Sequence, residues 1–337
     1  MTQTKSPRSK GEYLSSRSHN RRERMRRIMK SPLFEPLVAV AVILLIVTSL
    51  FAYTGTWPPM VVIESQSMQH GYNDVPGIIN TGDIVLVKHE VNTQDLTTYV
   101  EGEVNGFSTY GEYGNVLLYI PHDALGDVLS TTPVIHRAIV YLQYDGASGY
   151  SFPSVFALNC PTQYVVINPV GVRTCPTYPS EPELGQLVLY GVGWQGVTVD
   201  INLNALIQQR ETYSGYITMG DNNINYGSNP ASGEYDQQGG CLISCLVQPS
   251  WIEGVARGMI PWFGALKLWL EGNSGEVPSQ TWVYLAVSIL AIIAIPQVLP
   301  WTYRRLRDKL QSRHGGRDSE DEEASPPDSR PPKTGPP

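Results

Sequence analysis

"PVIHRAIVYLQY", residues 133–144, decides how the middle of this chain folds. It is rich in Val, Ile and Tyr, it opens on a proline, and its uninterrupted apolar run is too short for a core helix. Those features predict a β-strand. Working outward, stretches of the same kind recur at 60–65, 83–91, 115–120, 163–168, 186–192 and 215–220, each bounded by Gly, Pro or Asn. The best helix candidate between them is 202–213, short and half polar. Residues 55–280 are therefore expected to form a mainly β, mostly antiparallel domain.

Apolar segments bound this domain on both sides. Residues 37–53, within a span of 34–54, carry no charge, and Pro36 is placed to open a helix. Residues 281–301 are also uncharged, with Trp282 and Trp301 at the ends, where amphipathic rings favour a membrane interface. Each predicts a transmembrane helix. A cleaved signal peptide fits the first less well, because its apolar run is long and "GTWPPM" offers no small-x-small site. "RRERMRR" precedes the first span and "YRRLRDK" follows the second, which puts both tails in the cytoplasm and the β domain outside the cell membrane. Residues 302–337, Pro-rich and charged, are expected to be disordered.

Charge is segregated along the chain. Residues 1–33 carry ten Lys/Arg against two Asp/Glu, whereas 55–280 carry six against twenty-one. The basic tail lacks interleaved aromatics, so it reads as a membrane-proximal flank and no nucleic-acid partner is expected. The acidic outer domain suggests adaptation to high salt. All four cysteines fall in that outer domain, where disulfides are plausible and three pairings are open. With no CxxC pair and no adjacent histidine, neither a zinc site nor any other metal or cofactor is expected.

The chemistry starts at "ESQSMQHG", residues 64–71. A serine hydroxyl is a poor nucleophile until a neighbouring base takes its proton. His19 and His314 lie in the tails, which leaves His70, His89, His122 and His136. His136 is set in a strand, where it faces away from Ile135 and Arg137. Its plainer reading is a hydrogen-bonded histidine on a sheet surface. His70 is three residues from Ser67 and reads as a turn neighbour. Asp221 leaves a strand in "ITMGDNN", where a loop can aim a carboxylate at an imidazole.

In this order the boxes "SQSM" (65–68), "TGDIVLV" (81–87), "VIHRAI" (134–139) and "GDNN" (220–223), following an anchor, resemble the type I signal peptidases of the archaeal and endoplasmic-reticulum branch, with an acidic domain similar to haloarchaeal members. The resemblance implies Ser67 as nucleophile, His136 as general base, Asp221 as an acidic residue of the last box, and Ser65 as a hydroxyl donor to the oxyanion hole. Met68 would line the substrate groove or a membrane-facing surface. It also implies secretory preproteins as substrates, cleaved after a small-x-small signal, with bilayer lipid and the secretion translocon as surroundings. The branch carries a second aspartate soon after "GDNN", but the next one here is Asp236, expected as its counterpart displaced by an insertion. About 145–212 is expected to be an added segment. Lys88 matches no base position of the family. The alternative function is an inactive, membrane-anchored homologue that binds rather than cuts.

Overall fold

A computed structural model describes residues 33–89, 96–146, 149–151, 164–168, 171–174, 186–209, 212–228, 231–298 and 305. They fall in two units, Met1–Glu276 and Val277–Pro337. The first unit opens with α1, Phe34–Thr54, apolar on every side apart from Glu35 in its first turn. It ends where Gly55 turns left-handed and donates its N–H to Phe51 O. The second unit contains another long apolar helix, Ser279–Val298. Both are long and apolar enough to cross a membrane. The second starts slightly before the expected 281, and residues 299–301 of that expectation lie outside the described residues, as do 1–32, 302–304 and 306–337 of the tails.

The strands expected from the sequence form, most of them trimmed by one or more residues and 186–192 at its expected bounds. One sheet runs in the order β1 (Met60–Val62), β2 (Ile84–Lys88), β15 (Ile252–Ile260), β5 (Val116–Tyr119), β6 (Val134–Tyr144) and β12 (Gly215–Met219), with β7 (Tyr150–Ser151) beside β6. Its pairings are all antiparallel. A second sheet runs β13 (Ile224–Asn225), β14 (Ser232–Gly233), β11 (Val197–Asn202), β10 (Gln186–Val192), β8 (Tyr164–Asn168) and β9 (Gly171–Thr174), with one parallel contact between β11 and β14. A small hairpin, β3 (Ser108–Thr109) with β4 (Glu112–Tyr113), stands apart. The first unit is thus largely antiparallel β.

β6 is the spine. Its register with β5 sets Leu117 opposite His136 and Tyr119 opposite Val134, so these four side chains share one face. Arg137 and Ile135 point to the other. Both faces are covered along most of its length, which is why the strand reads as a near-continuous apolar run in which His136 and Arg137 are the buried exceptions. Leu117, Tyr119 and Ala138 pack with Tyr216, Val247 and Trp251. Val116, Leu118, Val85, Val87 and Ala256 pack with Ile63, Ile79 and Met68.

Residues 186–202, within the segment expected to be added, are built into the core of the first unit. Leu187, Leu189, Val199 and Ile201 of β10 and β11 share one buried cluster with Ile139 and Leu142 of β6 and Ile217 of β12. At about 2 kcal/mol for each large aliphatic side chain buried, this face of the second sheet stabilises the spine itself. The helix expected over 202–213 is α3, Leu203–Gln208, capped by the Asn202 side chain on Ala205 N–H. Two further helices of seven residues or more were not anticipated. The first is α2, Tyr99–Asn105, started by a Thr98/Glu101 capping box. The second is α4, Gly264–Glu271. β11 and β15 were also missed, the latter because its glycines and charges break the apolar pattern. Cys241 and Cys245 form a disulfide, and Cys160 and Cys175 lie outside the described residues.

Candidate active site

The loop that carries Ser67 is held from three directions. From below, Ile63 and Met68 are buried in the apolar cluster around Val85 and Val116. Met68 is thus a core residue, not a groove or membrane-facing one, because the turn after Ser67 points its side chain inward. On one side, Thr81 Oγ1 donates to Ser65 O at 2.8 Å, and Thr81 N–H donates to Gln69 Oε1 at 3.0 Å. On the other, Asn222 donates through its N–H to Ser67 O at 2.8 Å and through Nδ2 to Gln66 O at 3.1 Å. Gly220 has to be glycine for this approach, since a Cβ there would sit 2.6 Å from Ser67 O. The "GDNN" box therefore clamps the serine loop.

Three side chains then form a chain of hydrogen bonds. Ser67 Oγ lies 3.0 Å from His136 Nε2. His136 Nδ1 lies 2.7 Å and 2.9 Å from the two carboxylate oxygens of Asp236. An ionised carboxylate only accepts, so Nδ1 carries the proton and Nε2 is left to accept from the Ser67 hydroxyl. Asp236 is fully buried and would be costly to leave charged without further donors. Tyr119 OH donates to its Oδ2 at 2.5 Å and Thr218 Oγ1 at 2.7 Å. Burial and the Asp236 charge push the Tyr119 phenol well above its ordinary pKa, so it stays protonated and donates. Nothing in residue type singles out Tyr119 or Thr218, beyond their place on β5 and β12, the strands that flank β6.

Asp221 has a different partner. It does not reach His136; its two oxygens accept from Arg137 Nε and Nη2, both at 2.7 Å. The reason is strand geometry. His136 and Arg137 are adjacent on β6 and point to opposite faces, and each face meets a different carboxylate. Burial raises the Asp221 carboxyl, but the Arg137 charge and hydrogen bonds, helped by His70, outweigh it and leave the pKa below the ordinary value. Arg137 Nη1 also donates to the carbonyls of Glu112, Tyr113 and Gly114. Asp221 is thus a buttress that fixes the Asn222 turn, and Asp236 is the carboxylate brought to the histidine.

His70 lies 3.4 Å from Asp221 Oδ2 and stacks on Trp194, with ring centres 5.4 Å apart. Trp194 Nε1 donates to Asp221 O at 3.1 Å. The β10–β11 turn thus braces the same loop, a role that nothing around Trp194 announces in the sequence. Ser65 Oγ is 3.1 Å from Ser67 Oγ, on the cleft side. Lys88 stands in β2, paired with Val255, and has no part in the site.

Ser67 and His136 open into a cleft of about 670 Å³. One wall is Pro58 and β1, and the other is Thr132–His136 with Ile243 from the disulfide-closed loop. β1 is the edge strand of its sheet, so one side of its backbone is available for pairing. Ile243 N–H donates to the backbone carbonyl of Asp236 at 3.0 Å, which ties that loop to the residue that bears the buried carboxylate. Among the described residues, no group of three His, Cys, Asp or Glu is placed to hold a metal ion. Neither family models, curated proteins nor solved structures give a match to this chain.

Proposed function

We propose that this chain is a membrane-anchored serine endopeptidase that removes N-terminal signal peptides from secretory preproteins. The observation that carries the proposal is the Ser67–His136–Asp236 relay at the floor of an open cleft. His136 Nε2 takes the Ser67 proton as Oγ attacks the scissile carbonyl, and Asp236 stabilises the imidazolium that forms. The Ser67 N–H and the Ser65 hydroxyl hold the tetrahedral oxyanion, at a few kcal/mol per donor. His136 then returns the proton to the leaving amine, and a water, activated the same way, releases the acyl group from Ser67.

The cleft supports an extended peptide as substrate. Such a chain can pair with the open edge of β1 while its side chains enter the apolar wall. The serine follows Thr54, the last residue of α1, by thirteen residues, so an α1 that crosses the bilayer keeps the cleft near the outer surface. Tethering there raises the effective concentration of membrane-bound preprotein. Small side chains before the scissile bond, secretory preproteins as the substrate class and cytoplasmic tails follow from the family resemblance and the flanking charges.

The test is cleavage of a membrane-inserted preprotein by the wild type, Ser67→Ala and His136→Ala in matched membranes. Both variants are expected to lose cleavage. Equal processing by all three would overturn the assignment.

A further inference from the structure

α4 is a helix with the wrong outside for water. Its inner face is docked on the β domain. Ala265 and Leu268 are buried, Ala265 N–H donates to Gly82 O at 2.9 Å, and a Cβ on Gly264 would sit 2.8 Å from Val62 Cγ1. On the outer face Leu266, Trp269 and Leu270 follow the i, i+3, i+4 spacing of a single stripe. They are exposed by 46%, 59% and 72%. A helix on a water-facing surface normally turns polar residues outward, and a contiguous patch of large apolar side chains marks a contact. Lys267 does not interrupt the stripe, because it is turned toward Glu64 at 2.8 Å and Glu271 at 3.2 Å.

The chain itself says what covers this face. After Glu271 only seven residues intervene before the apolar helix Ser279–Val298. Seven residues reach at most about 25 Å even when fully extended. At the other connection, Trp57 stands three residues past the end of α1 and is 69% exposed. Trp and Leu next to spanning segments are the side chains that settle at a bilayer interface. We propose that α4 lies in the outer interfacial layer of the bilayer, with Leu266, Trp269 and Leu270 among the lipid chains. Lys267 and Glu64 line the cleft, so this seating sets the cleft mouth at the level of the lipid headgroups. The inference rests on the chain being membrane-anchored and does not depend on its being a peptidase.

A photoreactive amino acid placed at position 270 of the full chain, in nanodiscs of mixed phosphatidylcholine and phosphatidylglycerol, tests it. Position 104 on α2, where Val104 is 47% exposed, is the control. Lipid adducts are expected several-fold more often at 270 than at 104. Equal yields, or capture of a second copy or another protein at 270, would overturn the inference. Alkaline extraction of wild-type membranes separates the premise from the proposal. Release of the chain would refute the anchoring, whereas a retained chain without lipid adducts would refute only the seating of α4.

Discussion

Asp236 meets His136 at 2.7 Å across a sequence separation of 100 residues, while Asp221, beside the clamp on the serine loop, is bound to Arg137. The two carboxylates therefore fail differently when neutralised. Asp236→Asn leaves the imidazole in the wrong tautomer, and kcat is expected to fall about 10⁴-fold. Asp221→Asn keeps the tautomer and is expected to act mainly on stability and loop position. Single-turnover cleavage alongside thermal unfolding distinguishes them. A larger kcat loss for Asp221→Asn at unchanged stability would reverse the assignment.

The pKa of Asp221 is lowered in the folded chain from an ordinary 3.8. Below that ordinary value the unfolded chain takes up protons that the folded chain resists. Its contribution is complete above pH 3.8 and is lost as pH falls through the folded value. Acid unfolding curves should accordingly be flatter for Asp221→Asn than for the wild type. Identical acid limbs would exclude a stabilising charge at this site.

Asp83 has the opposite sign. Burial raises it from 3.8 to about 6, against hydrogen bonds donated by the Trp262 and Asn80 backbones. The folded chain then holds a proton that the unfolded chain has released. The stability this supplies is present below pH 3.8 and is lost as pH rises through about 6. At 1.36 kcal/mol per unit of pKa, the wild type should lose about 3 kcal/mol from this group across that window. Asp83→Asn should remove that slope, as chemical unfolding measured at pH 4 and pH 7 would reveal.

Gly220→Ala should uncouple activity from folding. The added Cβ meets Ser67 O at 2.6 Å, so the serine loop must retreat from His136. A displacement of this order can cost about 10²-fold in rate. Circular dichroism should still report a folded β domain. Full cleavage by this variant would mean that the loop can yield without disturbing the Ser67–His136 bond.

Met68→Ala tests the packing beneath the serine. Met68 is almost fully buried, and truncating a core methionine costs about 2–5 kcal/mol. The loss should appear in urea unfolding. A neutral effect on stability with altered substrate preference would restore Met68 to the cleft.

Ser67 and His136 were legible in the sequence because each sits in a short box of distinctive residues, "SQSM" and "VIHRAI". The β character was legible because the strands are short and β-branched, and both long apolar helices because they carry no charge. Asp236 was harder, since its link to His136 depends on how the chain after "GDNN" folds back, with Asp236 N–H donating to Thr218 O. Asp221 misled for the complementary reason. Its box is recognisable, but which face of β6 it meets is settled by strand geometry. Asn222, Tyr119 and Trp194 act through backbone atoms or through the acid, and such roles leave no mark on residue type.

The adjacency of His136 and Arg137 has a consequence for assembly of the domain. A slip of β6 by one residue against β5 would exchange the two faces. It would set the guanidinium toward the Ser67 side and leave Asp221 without its strong cation. It would also push Ala138 and Ile139 out of their separate clusters. Burying either charge unpaired costs several kcal/mol. The Arg137–Asp221 ion pair and the His136–Asp236 hydrogen bonds therefore proofread the alignment of the spine: a chain that has formed both has, by that fact, folded in register.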